Sequence, residues 1–141
     1  MPTGAGTTSH VIRTSALAFV RDRRLLQARS HGKPAFYMAG GKIDPGESAE
    51  EALVREIREE LDAGVVAPVL LDVFEAPAYG HAPGTSLHMT CFTGDLDREP
   101  LPTSEIAEIA YFTFGEYAAL AERAPGSLLV FGRLHALGVI D

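Results

Sequence analysis

The chain has 141 residues, 46% of them hydrophobic, and its 12 lysines and arginines against 19 aspartates and glutamates give a formal net charge of −7. The length fits one domain with its own core, while the negative charge argues against a nucleic-acid polymer as partner, because such binding needs clustered cations. The single cysteine, Cys91, allows no intrachain disulfide and favours a reducing compartment.

Residues 1–9 are rich in glycine and threonine, which predicts a flexible tail before one domain over residues 10–141. Because neither a signal peptide nor a membrane-length apolar run is visible, we expect a cytoplasmic protein that does not associate with membranes. Strand patterning covers residues 10–20, and residues 25–28 return as a second strand after a polar turn, which predicts a hairpin. Phe36 and Tyr37 follow, and either could stack on a base or pack in the core.

A turn-rich loop precedes the most acidic segment of the chain. Glycines and a proline at residues 40, 41, 45 and 46 predict a folded turn. Ser48 and Glu51 have the spacing of a capping box, so a helix should begin near Ala49. We expect Gly64 to end this helix as its left-handed cap.

The predicted helix has an apolar and an acidic face. Leu53, Val54, Ile57 and Leu61 recur every three or four residues and should face the core. Glu56, Glu59 and Glu60 fall on an adjacent arc, where they repel one another. A hard divalent cation that prefers oxygen ligands would remove this repulsion, so the acidic face predicts a Mg²⁺ site or, alternatively, only a solvated surface.

Residues 65–74 predict another strand, and the irregular stretch over residues 75–85 predicts a loop. Tyr79 and His81 in this loop are candidates for substrate contacts. In the strand over residues 87–93, Leu87, Met89 and Cys91 should face the core, with Phe92 on the opposite face.

The carboxy-terminal part predicts a strand over residues 110–114 and two helices. Thr113 and Glu116 form a second possible capping box, opening a helix to about Arg123. Ser127 should precede the last helix, in which four residues face inward: Leu128, Phe131, Leu134 and Leu137. Strands on both sides of the acidic helix and helices at the end predict an α/β fold in which helices enclose a mixed sheet.

The pattern over residues 41–63 is specific. Counted from Gly41, it consists of that glycine, five residues, Glu47, seven residues and then Arg55-Glu56-Ile57-x-Glu59-Glu60. This pattern closely resembles the Nudix box, the signature loop and helix of the Nudix hydrolase family. Asp62 stands where the family usually has glycine, and Ala39 replaces the usual proline before the glycine pair. The resemblance implies the α/β/α sandwich of that family.

The resemblance also implies roles for individual residues. Glu56, Glu59 and Glu60 would bind Mg²⁺, or alternatively Mn²⁺, and one of them would take the proton of an attacking water. Arg55 and Glu47 would form an ion pair that orients the loop, and backbone groups at Gly40 and Gly41 would complete the metal and substrate sites. Some family members carry the base outside the box, which makes Glu105 and Glu108 further candidates.

The implied reaction is hydrolysis of a nucleoside diphosphate linked to another moiety. The sequence from Phe36 to Ile43 is similar to members that act on nucleoside triphosphates, whereas Pro77 is similar to those acting on ADP-ribose and Tyr79 to those acting on dinucleoside polyphosphates. A nucleotide-binding module without catalysis and a purely structural domain are the alternatives. The partner would be a small nucleotide, and a homodimer is possible.

Overall fold

The computed structural model describes residues 10–141, so the tail predicted for residues 1–9 lies outside the described residues. Within residues 10–141 the strands are β1 (His10–Ala18), β2 (Val20–Arg21), β3 (Arg24–Ser30), β4 (Ala39–Lys42), β5 (Val65–Pro77), β6 (Thr85–Leu96) and β7 (Ile106–Phe112). The helices are α1 (Ala49–Leu61), α2 (Phe114–Ala118) and α3 (Pro125–Ala136). Over the described part of the chain, no helix has the length and apolar character that crossing a membrane requires.

The strands form two sheets. A four-stranded mixed sheet has the order β4-β1-β6-β5, in which β1 and β6 are parallel and the other neighbours are antiparallel. A three-stranded antiparallel sheet has the order β2-β3-β7. The chain passes from the first sheet to the second at Phe19, between β1 and β2. The predicted hairpin is therefore formed by β2 and β3, whereas β1 belongs to the other sheet.

Both faces of the four-stranded sheet are buried around β1, because alternate residues of β1 point into two separate cores. The edge strand β5, in contrast, leaves Val66, Val69, Leu70 and Val73 exposed. One core lies under α1 and contains Leu17, Phe19, Leu26, Leu53, Ile57, Leu61 and Phe92. The other lies under α2 and α3 and contains Ala16, Ala18, Met89, Cys91, Tyr117, Phe131 and Leu134. Helices thus cover both faces, which confirms the predicted α/β class and the Nudix-type α/β/α arrangement.

The two cores account for the alternation along β6. Phe92 lies on the face opposite Met89 and Cys91, as predicted, and it is buried because α1 covers that side of β6. Cys91 is fully buried, as predicted, and burial raises the pKa of its thiol to about 12. The thiolate is the nucleophilic form, so this cysteine is chemically inert in the folded protein.

Helix α1 begins where the sequence predicted. Ser48 Oγ accepts a hydrogen bond from the Glu51 amide at 3.1 Å, and the Glu51 side chain accepts one from the Ser48 amide at 2.8 Å. Val54 is 45% exposed, against the prediction that it faces the core. The reason is that Leu101 and the following residues cover the last turn of α1 but not the turn that carries Val54.

The end of α1 differs from the prediction. Asp62, not Gly64, is the left-handed cap, with φ 52° and ψ 42°, and its amide donates to the Arg58 carbonyl at 3.1 Å. The helix therefore ends at Leu61. A non-glycine residue at positive φ and an acidic side chain at the negative end of the helix dipole are both unfavourable.

The two carboxy-terminal helices also have different bounds from those predicted. Helix α2 ends at Ala118 rather than near Arg123, because the Ala124 amide donates to the Tyr117 hydroxyl at 3.0 Å and the chain turns back to reach it. Helix α3 begins at Pro125, since proline tolerates the first helical position. It ends before Leu137, which is 59% exposed instead of facing inward.

Replacing the cap of α1 should stabilise the protein. We expect Asp62→Gly to raise the free energy of unfolding by about 0.5–1 kcal/mol, because glycine adopts positive φ at little cost and removes a charge that opposes the dipole. Urea denaturation of the two proteins measures the difference. Asp62→Ala removes the charge but keeps the Cβ atom, so it should gain less than Asp62→Gly; an equal or larger gain would contradict the conformational explanation.

Candidate active site

Two glycines of β4 bring the backbone against the acidic face of α1. Gly40 has φ 142°, and a Cβ atom there would lie 2.0 Å from the Ser15 carbonyl oxygen of the neighbouring strand. At Gly41 a Cβ atom would lie 2.4 Å from the Glu56 carboxyl carbon. A side chain at either position would therefore displace β1 or the Glu56 carboxylate, so glycine is needed for this close approach.

Arg55 connects the loop before α1 with the carboxylates on it. Its guanidinium donates two hydrogen bonds to Glu47, from Nε to Oε2 at 2.8 Å and from Nη2 to Oε1 at 2.9 Å. A third, of 3.0 Å, goes to the Lys42 carbonyl at the end of β4. This bidentate contact, together with the Asp44 amide, lowers the pKa of Glu47 to about 2. The ion pair between Arg55 and Glu47 has the geometry that would orient the loop.

The same guanidinium reaches two of the predicted metal ligands. Arg55 Nη1 donates to Glu56 Oε1 at 2.8 Å and lies 3.4 Å from Glu59 Oε1. The hydrogen bonds with Glu47, Glu56 and Glu59 raise the pKa of Arg55, so it stays cationic. Arg55 thus offsets part of the negative charge that the acidic face accumulates.

Glu60 lies deeper than its neighbours, between α1 and β4. Its Oε1 atom accepts a hydrogen bond of 3.0 Å from the Gly40 amide. Burial, together with the negative charges of Glu56, Glu105 and Glu59, raises the pKa of Glu60 to about 8 despite that hydrogen bond. Burial is also the main cause of the raised pKa of Glu56. The positive charge near these carboxylates therefore does not balance their negative charge.

The loop after β6 fixes the last turn of α1. Thr103 Oγ1 donates to the Glu59 carbonyl at 2.6 Å, and the Thr103 amide donates to the Glu60 carbonyl at 3.0 Å. Glu105 follows two residues later, close enough for its charge to raise the pKa values of Glu56 and Glu60. Glu108, in contrast, is engaged by Arg29 at 3.0 Å.

A cavity of about 230 Å³ adjoins the carboxylates. Glu60, Gly40 and Gly41 form one side of it, and the remaining wall is largely apolar. Tyr37 and Tyr79 both line it, with ring centroids 5.9 Å apart, and the Tyr79 hydroxyl donates to Glu122. That contact raises the pKa of Tyr79 to about 12.

Two predicted substrate contacts lie elsewhere. Phe36 does not line the cavity but packs edge-on against Phe112, with ring centroids 5.1 Å apart. Its carbonyl accepts a hydrogen bond of 2.6 Å from the Tyr117 hydroxyl. His81 is exposed at the tip of the loop over residues 78–84 and is also absent from the wall.

The donor set suits a hard divalent cation. Glu56, Glu59 and Glu60 offer carboxylate oxygens, which Mg²⁺ prefers, and the repulsion that raises the pKa of Glu60 is what a cation would relieve. Over residues 10–141, no three histidine, cysteine, aspartate or glutamate side chains already converge on one metal-sized point. Arg55 contacts the Oε1 atoms of Glu56 and Glu59, which leaves the Oε2 atom of each carboxylate for a cation.

Several residues at the site carried no recognisable signal in the sequence. Ser15 is fully buried and donates to the Ala49 carbonyl at 2.6 Å, which joins β1 to the start of α1. Gly126 and Ser127 line the cavity, although they are distant in sequence from the acidic helix. Only the tertiary packing of α3 against the sheet brings them there.

Together the features define a class: a mixed α/β protein in which a glycine-bearing loop lies against a helix with adjacent carboxylates and opens into an apolar cavity. The family model of the NUDIX domain matches residues 11–131. The chain therefore belongs to the Nudix hydrolase family, which confirms what the resemblance of residues 41–63 implied.

Known relatives agree with this assignment. A Bacillus subtilis (strain 168) protein with the provisional name 8-oxo-dGTP diphosphatase is 37% identical over 57 residues, which is 40% of this chain and 38% of that protein. The solution structure of the E. coli ORF135 protein superposes with a TM-score of 0.74 and 23% identity, covering 98% of this chain and 96% of that one. The crystal structure of a MutT NUDIX hydrolase from Burkholderia pseudomallei superposes with a TM-score of 0.70 and 22% identity, covering 87% of this chain and 96% of that one. At these identities the two structures show the shared fold.

Removing the carboxylate partner of Arg55 should change how stability depends on pH. The folded-state pKa of Glu47, about 2, lies below the ordinary value of 4.5, so its ionised form stabilises the fold above pH 4.5 and this contribution is lost as the pH falls toward 2. Glu47→Gln should lower the melting temperature at neutral pH and flatten its decline over that interval. The exposed Glu50→Gln serves as control and should follow the wild type. Parallel curves for Glu47→Gln and wild type would contradict the prediction.

Proposed function

We propose that this protein is a Mg²⁺-dependent pyrophosphohydrolase that acts on nucleoside triphosphates or closely related small nucleotides, with Mn²⁺ as an alternative cation. The observation that carries the proposal is the position of Glu60, which belongs both to the carboxylate cluster of α1 and to the wall of the apolar cavity. A ligand in that cavity would have its ring at Tyr37 and Tyr79 and its phosphates at the carboxylates.

In this proposal Glu56, Glu59 and Glu60, with the Gly40 backbone, hold the cation. Bound there, it would neutralise the phosphate charge and lower the pKa of the attacking water. Water adds to one phosphorus, the phosphoric anhydride bond breaks, and a carboxylate of the cluster accepts the proton. A general base works best with a pKa near the working pH, and burial raises the pKa values of Glu60 and Glu56, so these two are the leading candidates. Glu105, whose charge also raises both pKa values, is the next candidate.

The other residues act by position. Arg55 and Glu47 hold the loop over residues 42–47 against α1, and Gly41 leaves room for the Glu56 carboxylate. Tyr37 offers a ring for stacking, and Tyr79, held by Glu122, forms the rim beside it. Neither Phe36 nor His81 has a place in the cavity wall, so we assign them no substrate contact.

The cavity volume favours a mononucleotide. At about 230 Å³ the cavity is smaller than ordinary ligand pockets of roughly 300–1,000 Å³. It therefore suits a single ring better than the two bases of a dinucleoside polyphosphate. The provisional name of the Bacillus subtilis relative, which specifies a nucleoside triphosphate, is in line with this choice.

Removing one carboxylate charge tests the proposal. Glu60→Gln should keep the fold but lower Mg²⁺-dependent turnover on the order of a hundredfold, because it removes a proposed cation ligand. Turnover of a panel of nucleoside triphosphates is measured as release of pyrophosphate and nucleoside monophosphate. ADP-ribose is included, with its turnover measured as release of AMP and ribose 5-phosphate. Glu50→Gln, an exposed change on the same helix, should keep wild-type rates. Equal rates for Glu60→Gln and wild type at saturating Mg²⁺ would refute the assignment.

A further inference from the structure

Strand β5 has the composition of a buried strand but lies at the edge of its sheet. Residues 65–73 are apolar at every position except Asp72, which is typical of a strand covered on both faces. Within residues 10–141, β5 nevertheless pairs with β6 alone, and none of these nine residues is buried. Four of them are large hydrophobic residues with exposed side chains: Val66, Val69, Leu70 and Val73. A contiguous apolar surface of this kind marks an interaction site.

An apolar groove continues this surface toward α3. The groove has a volume of about 350 Å³, and its wall includes Leu71 of β5 together with Leu137 and Val139, which follow α3. Val69 lies opposite Thr93 in the pairing of β5 with β6, and Thr93 also lines the groove. Leu137 and Val139 are themselves exposed. The exposed residues of β5 and this groove therefore form one apolar surface, the β5 surface.

The β5 surface carries almost no charge. Residues 63–71 contain no acidic or basic side chain, and the Asp72 carboxylate is held by Arg133 at 2.9 Å. Because the chain has a formal net charge of −7, two copies repel each other least where their facing surfaces are uncharged. A second copy of this chain therefore suits the β5 surface better than a highly charged partner does.

The exposed residues of β5 are arranged symmetrically along the strand. Val66 and Val73 are equally far in sequence from the point between Val69 and Leu70. A twofold axis at that point would place Val69 against Leu70 of a second copy and Val66 against its Val73, in an antiparallel arrangement. The two irregularities in the pairing of β5 also lie on opposite sides of this point. A contact between identical subunits requires such self-complementarity, whereas a contact with an unrelated protein does not.

The ends of the β5 surface are complementary in charge about the same axis. Glu75, whose side chain is 79% exposed and lies 3.9 Å from His88, would face Gly64 of the second copy. The Arg58 guanidinium lies beside Gly64, because a Cβ atom at Gly64 would be 2.9 Å from Arg58 Nη2. Arg58 is paired only loosely with Asp97, at 4.0 Å. Each copy thus presents an acid to an arginine of the other.

We propose that two copies of this chain form a dimer through the β5 surface, with the twofold axis between Val69 and Leu70. The dimer gives both edge strands the apolar cover that their composition requires. Strand β4, with Gly40 and Gly41, lies at the opposite edge of the same sheet. The interface is therefore separate from the candidate active site and does not depend on the proposed activity.

Sedimentation equilibrium of the full chain at micromolar concentration tests the dimer. The wild type should have a mass near twice 15.1 kDa. Leu70→Lys should raise the dissociation constant on the order of a hundredfold or more, because it places two like charges beside an apolar axis. Leu101→Lys is the matched control, since Leu101 is 56% exposed against 55% for Leu70 but lies at the last turn of α1. It should keep the wild-type dissociation constant.

Chemical cross-linking tests the position of the axis. Cys91 is the only cysteine of the chain and is fully buried, so a cysteine introduced at the surface is the one that reacts. In Leu70→Cys the new thiols of two copies lie next to the axis, and a short bismaleimide should join them in high yield. Leu101→Cys should give monomer on a denaturing gel after the same treatment.

Three results would overturn the proposal. The first is a wild type that stays at 15.1 kDa throughout the micromolar range. The second is a dimer whose dissociation constant Leu70→Lys leaves unchanged, and the third is equal cross-linking of Leu70→Cys and Leu101→Cys. Circular dichroism shows whether each variant is folded. If Leu70→Lys does not fold, cross-linking of the milder Leu70→Cys decides.

Discussion

The contact between the Arg55 guanidinium and its surrounding acids is the interaction on which the candidate site depends. Arg55 binds Glu47 and the Lys42 carbonyl on the loop, and Glu56 and Glu59 on its own helix. Without it, Glu56, Glu59 and Glu60 would repel one another, since within residues 10–141 the ion pairs of Glu56 and Glu59 are formed with Arg55. Because one planar group meets both sides, the loop, the helix and the carboxylates keep a single relative arrangement.

The two glycines of β4 make that arrangement possible on the side of the carboxylates that faces the sheet. Gly40 lies against β1 and donates to Glu60, while Gly41 leaves the space that the Glu56 carboxylate occupies. Glu56 and Glu60 therefore lie against backbone rather than in open water, which is why burial raises their pKa values, whereas the Glu59 side chain stays half exposed. Carboxylates that are costly to ionise alone suit a site completed by a divalent cation.

Local signals in the sequence predicted the parts of the structure that local chemistry determines. The Ser48 and Glu51 capping box, the start of α1 and the inward positions of Leu53, Ile57 and Leu61 follow from spacing alone. Residues whose surroundings come from distant segments were predicted less well. Val54 is exposed and Phe92 is buried because of what packs, or does not pack, on those faces. The contact of Ser15 with α1 and the place of Ser127 in the cavity wall depend on segments far apart in the chain and left no pattern to recognise.

We infer that the close approach of Gly41 to Glu56 and the Arg55 network hold the carboxylates ready for a divalent cation. Mn²⁺ binding, followed by electron paramagnetic resonance in wild type and Gly41→Ala, tests it most directly, since the added methyl would lie 2.4 Å from the Glu56 carboxyl carbon. We expect Mn²⁺ to bind the wild type and to bind a folded Gly41→Ala protein with an affinity lower by roughly tenfold or more. A wild type that binds no Mn²⁺ at millimolar concentration, or equal affinities in the two proteins, would contradict it.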